Sequence, residues 1–122
     1  MMEMTELEVN CYNFMKELTE ELSEEFEGQY ERMESFARWN LPDEIGMEWI
    51  DAEGMIDILE KSNSVSKDLT KKFREIVSRF ELEFKNSDSE AWTFEGMKSG
   101  EFWSEQRRRA REILQEMSSV SC

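Results

Sequence analysis

An all-α, single-domain bundle of about four principal helices, the first of them long, is the fold this sequence predicts. Three observations carry that expectation. Apolar side chains recur at steps of three and four over long segments, no segment alternates apolar and polar residues as a half-buried strand does, and no hairpin turn signal separates two such segments. The 122 residues suit one domain with a modest core. An apolar fraction of 39% with four Trp and eight Phe exceeds what a disordered acidic tail holds, so residues 1–122 are expected to fold as one acidic unit.

The first element follows from the stripe Met4, Leu7, Cys11, Phe14, Leu18, Leu22, Phe26, Tyr30, Met33 and Ala37, widened by Met15 and Phe36. The glutamates between these positions are good helix formers, so pattern and propensity agree on one helix over 4–38. Gly28 marks the expected bend. Leu41 precedes Pro42, and the residue before a proline is pushed out of the helical region, which predicts a stop and a restart there.

A second helical stretch is predicted over 43–61. Asp43 and Glu44 suit its first turn, Ile45, Trp49, Ile56 and Leu59 its buried side, and Gly46 and Gly54 leave open whether it is one helix or two. The third element, 66–85, buries Leu69, Phe73, Ile76, Val77, Phe80 and Phe84, with Ser64 or Ser66 as its cap. Residues 88–100 leave helix, loop and a short extended pair open. A final helix over 101–117 turns Phe102, Trp103, Ala110, Ile113, Leu114 and Met117 inward and Arg107, Arg108 and Arg111 outward, and 118–122 form a frayed tail.

Composition removes much familiar chemistry. With no histidine, the chain builds no imidazole base, Cys–His dyad or Ser–His–Asp triad. Cys11 and Cys122 are too few and too far apart in sequence for a disulfide framework or a thiolate metal site, and Cys11 falls on the apolar stripe. The glycines form neither a dinucleotide fingerprint nor a P-loop, so no cofactor and no catalytic residue are assigned. Neither a basic leader nor a run of about 20 apolar residues occurs, and a cytoplasmic location without membrane contact is expected.

The charge is unevenly placed. Residues 1–60 hold 18 acids and three bases, net -15, whereas residues 61–122 hold 11 acids and 12 bases, net +1. A field of that sign repels phosphates and anionic lipids, so direct nucleic-acid binding is disfavoured and a basic protein becomes the fitting partner. The acidic contact residues singled out are Glu17, Glu24, Glu31, Glu34, Asp43, Glu44, Glu48 and Asp51. Trp92 and Trp103, set in the glycine-flanked aromatic group with Phe94 and Phe102, are the candidate anchors of such an interface. The cluster Arg107-Arg108-Arg109 with Arg111 is read first as internal balance for the acidic leading helix.

Carboxylates three or four apart on a helix share a face. The pattern Glu21-x-x-Glu24 followed by Glu48-x-x-Asp51 resembles the paired acidic motifs of the all-helical MazG-like nucleotide pyrophosphatases. That resemblance implies Mg²⁺ held by Glu21, Glu24, Glu48 and Asp51, with the ion activating water against a phosphoanhydride. In overall character, acidic, histidine-free, helical and small, the chain also resembles the immunity proteins that bacteria make against their own toxin domains. This second resemblance implies a stoichiometric inhibitor of a basic, nuclease-type toxin, acting in the cytoplasm. The long apolar stripe also permits a helical homodimer serving as an adaptor.

Overall fold

Thr5 starts the first helix by a reciprocal cap: its hydroxyl accepts from the Glu8 N–H at 3.2 Å, and the Glu8 carboxylate accepts from the Thr5 N–H at 2.8 Å. In the computed structural model, which describes residues 4–33, 40–86 and 88–120, the chain then runs through seven α-helices. These are α1 (Glu6–Ser23), α2 (Phe26–Arg32), α3 (Leu41–Asp51), α4 (Glu53–Lys61), α5 (Lys67–Phe84), α6 (Phe94–Ser99) and α7 (Glu101–Val120), with a 3₁₀ turn at Glu90–Trp92 before α6. No strand occurs among the described residues. The architecture is an all-helical single-domain bundle, as the periodicity predicts.

The long first helix is corrected. Its stripe breaks at Glu24 and Glu25, both in extended backbone, and Gly28 lies inside α2 instead of marking the bend. The cause is tertiary. The last carbonyls of α1 find side-chain donors in place of the next turn: Leu22 accepts from Gln29 at 3.1 Å, Ser23 from Arg111 at 3.1 Å and Glu24 from Arg107 at 3.0 Å. Residues 34–39, through which the sequence pattern continues the helix, lie outside the described residues, and so does Glu34.

The stretch 43–61 is two helices hinged at the buried Ala52, and α3 already begins at Leu41, with Pro42 in its first turn. Ser66, not Ser64, caps α5, accepting from the Leu69 N–H at 3.0 Å. Helical backbone in α7 reaches Val120, three residues past the predicted end. Residues 121 and 122, including Cys122, fall outside the described part.

Five helices build the core: α1 packs most extensively on α7 and then on α4, while α5 covers α3, α4 and α7. Met15, Leu22, Ile45, Trp49, Phe73, Phe80 and Trp103 are fully buried. Phe80 meets the Phe102 and Trp103 rings edge-on, each with centroids 5.4 Å away. Leu7 keeps the spacing of the stripe but is 58% exposed in the first turn of α1.

Residues 88–100 resolve into two short turns whose geometry depends on Gly96. Thr93 accepts from the Gly96 N–H at 2.9 Å, and a Cβ on Gly96 would lie 1.8 Å from the Glu90 carbonyl oxygen. Because the obstacle is backbone, relief requires moving the whole 3₁₀ turn. Gly96→Ala is expected to cost roughly 1–3 kcal/mol by overpacking, read as a lower midpoint in urea denaturation.

Candidate carboxylate cleft

Glu17 and Glu21 are one turn apart on α1, and Glu44 and Glu48 are one turn apart on α3. Contact between these helices, with Arg32 added by α2, encloses a cleft of about 410 Å³ lined by Phe14, Glu17, Leu18, Glu20, Glu21, Arg32 and Glu48. Glu21 and Glu48 face each other in it, each with its Oε1 buried and without a hydrogen-bond partner.

Two carboxyls so placed do not both ionise readily. Burial, then the charge of Glu48 and proton sharing with it, push the Glu21 carboxyl up to about 8, against the opposing pull of Arg32. Glu48 is also raised, by burial first and by the Glu44 charge, while the hydrogen bond from Glu21 lowers it. The pair thus retains one proton near neutrality and titrates as a unit.

The other members of the two acidic motifs do not join them. Glu24 accepts from Arg32 Nε at 2.7 Å outside the pair, and Asp51 is exposed on α3. Among the described residues, no group of three or more Asp, Glu, Cys or His converges as a metal-holding set. Of the four carboxylates implied by the pyrophosphatase resemblance, Glu21 and Glu48 therefore meet in the cleft, while Glu24 is paired with Arg32 and Asp51 lies exposed.

Of the remaining predicted contact residues, Glu17, Glu31 and Glu44 are exposed and Asp43 is half-buried. Trp92 is half-buried, stacked on Phe84 at 4.2 Å between centroids, with its Nε1 donating to the Glu83 carbonyl at 3.2 Å. Trp103 is corrected: it has no exposed surface and donates its Nε1 to the Ala91 carbonyl at 2.7 Å, so it is a core residue and not a surface anchor.

The arginine cluster of α7 serves internal balance. Arg111 pairs with Glu25 at 2.8 Å, Arg108 with Glu112 at 2.8 Å, and Arg109 with Glu75 and Glu105 at 3.2 and 2.7 Å. Arg107, predicted outward, is only 3% exposed; it donates to the Gln29 Oε1 at 2.8 Å as well as to the Glu24 carbonyl, and burial lowers its pKa. A larger, shallower groove of about 710 Å³ over α5 contains Lys71, Arg74, Arg79 and Arg109. Arg74 there already pairs with Asp57 and Glu60, at 2.6 and 2.9 Å, so this groove carries less available charge than its composition suggests.

Two participants escaped the sequence reading. Arg32 stands eight residues after Glu24, a spacing that meets on no continuous helix, and Gln29 is a lone amide on a short segment. Only the turn at Glu24–Glu25 brings them into place. Among the described residues, no helix is long and apolar enough to cross a membrane. Comparison with known proteins gives no match: no family model, no curated protein and no solved structure aligns with this chain.

Proposed function

We propose that this chain is a stoichiometric protein inhibitor of the immunity type, acting in the cytoplasm, which neutralises a basic, nuclease-type toxin domain through the acidic face of α1 and α3. One observation supports the reading above the others. The meeting of Glu21 and Glu48 joins the acidic stripe of α1, which includes Glu17, to that of α3, which includes Glu44 and Asp51. Glu17, Glu44 and Asp51 are exposed and form no ion pair with a described residue, whereas Glu24 and Glu25 are matched by Arg32 and Arg111. The proposed contact is accordingly narrower than the net charge of residues 1–60 implies.

Exposed carboxylates steer encounter more than they hold the complex. The chain should co-purify with the product of an adjacent gene encoding a larger protein with a basic C-terminal domain. Its association rate with that domain should fall more than about tenfold as salt rises from roughly 20 to 300 mM. Glu17→Lys with Glu44→Lys and Asp51→Lys should slow association by a similar factor at low salt. Stopped-flow measurement of both decides it: an on-rate indifferent to ionic strength and to these substitutions removes the acidic-face mechanism.

A further inference from the structure

While one side of α5 is buried in the core, a second stripe, Lys71, Ser78 and Leu82 at steps of seven and four, faces solvent. This stripe lines the groove of about 710 Å³, to which α4 adds Glu60 and α7 adds Arg109. In a chain of net charge -14 the groove inverts the sign: Lys71, Arg74, Arg79 and Arg109 stand in it against Glu60 and Glu75. Part of that positive charge is already matched, since Arg74 is held by Asp57 and Glu60, and Arg109 by Glu75 and Glu105. The rest is available. Lys71 is exposed and forms no ion pair with a described residue, and Arg79 stands 3.9 Å from Glu105, beyond hydrogen-bond reach. Leu82, 59% exposed, ends the stripe one turn past Ser78.

We propose that this groove docks an extended acidic segment of a partner protein, with Lys71 and Arg79 each taking a carboxylate and Leu82 an apolar side chain. Lys71 and Arg79 are eight residues apart on one helix, about 12 Å at the standard rise. A single small anion does not bridge that span, because its donors must converge to hydrogen-bond distance. In an extended peptide, side chains four positions apart point the same way and lie about 13 Å from each other. Two carboxylates at that spacing match the two cations, and a residue two positions further along comes over Leu82. A nucleic-acid strand is served less well: two available cations release few counterions, and the field of residues 1–60 opposes phosphates. The same field acts on an acidic peptide, but Leu82 gives that peptide an apolar contact that a phosphate backbone cannot use. The groove does not depend on the inhibitor reading, which concerns the acidic face of α1 and α3.

The test is fluorescence anisotropy of a labelled peptide with two glutamates four positions apart, a leucine two positions beyond the second, and serine elsewhere. Titrated with the full chain at roughly 20 mM salt, it should bind saturably, and the affinity should fall more than about tenfold by roughly 300 mM. Lys71→Glu with Arg79→Glu should abolish saturation, and Leu82→Ser should weaken binding about fivefold. All three side chains are exposed, so circular dichroism should show these variants folded as the wild type is. Amide chemical-shift changes on adding the peptide should fall on 71–82 and around Arg109. No saturation at millimolar peptide in low salt would overturn the proposal, as would an unchanged affinity in the double variant. Tighter binding of a single-stranded oligonucleotide of equal charge would also overturn it, assigning the groove to phosphates.

Discussion

Replacing Arg107 with methionine is expected to destabilise the fold by about 2–4 kcal/mol, because one buried and one part-buried acceptor lose a charged donor together. Methionine keeps much of the aliphatic bulk, so the loss reports polar contacts more than a cavity. The guanidinium satisfies the Glu24 carbonyl at the end of α1 and the Gln29 side chain in the middle of α2, and it lies over the Trp103 ring with 6.0 Å to the centroid. Arg107 is the donor that α7 brings to that carbonyl, while Arg111 holds the one before it. Arg107→Lys should recover less than half of the loss, since a point donor cannot serve two acceptors in the fixed fork of a guanidinium. Urea denaturation followed by circular dichroism checks this, and a cycle with Gln29→Ala should give a coupling of about 1–2 kcal/mol. A loss under about 0.5 kcal/mol would show that the corner keeps its shape without α7.

That corner also marks where sequence reasoning ends. Buried faces were legible wherever one helix continued long enough for its period to repeat: Leu69, Phe73, Ile76, Val77 and Phe80 of α5 are all buried at their predicted places. The break after Ser23 was not, because two of its three donors come from 83 and 88 residues further along the chain, and nothing in the local pattern of Glu and Leu distinguishes that point. Propensity favoured continuation, and tertiary hydrogen bonding decided otherwise. Glu21 and Glu48 were legible as members of two spaced pairs, but so were many other glutamates. Only the packing of α1 on α3 selects these two, and the same packing leaves Asp51 outside and gives Glu24 to Arg32. Arg107 failed for a related reason: a basic residue on an amphipathic helix reads as solvated unless its buried acceptors are known in advance.

Trp103→Ala is expected to have the largest effect of any single truncation considered, about 3–5 kcal/mol, because it empties the centre of the α5–α7 contact. The ring packs against Phe80 and Phe102 and has no exposed surface. Thermal unfolding should move down by roughly 10–20 °C for a domain of this size. Trp103→Phe separates packing from hydrogen bonding: the apolar bulk is largely kept, but the Ala91 carbonyl loses its donor at 2.7 Å, and a loss of about 1–3 kcal/mol should remain. Because Ala91 belongs to the 3₁₀ turn, this bond ties 90–100 to α7, and loosening of that segment should appear first as faster amide exchange at Trp92 and Met97. The comparison also bears on function. Trp103 touches no solvent, so under the proposed inhibitor reading a folded Trp103→Phe chain should associate with a basic partner at the wild-type rate, whereas charge reversal on α1 and α3 should leave stability nearly intact and slow that step. A Trp103→Phe protein that folds normally yet binds slowly would place part of the contact at the α5–α7 end of the bundle instead of on the acidic face.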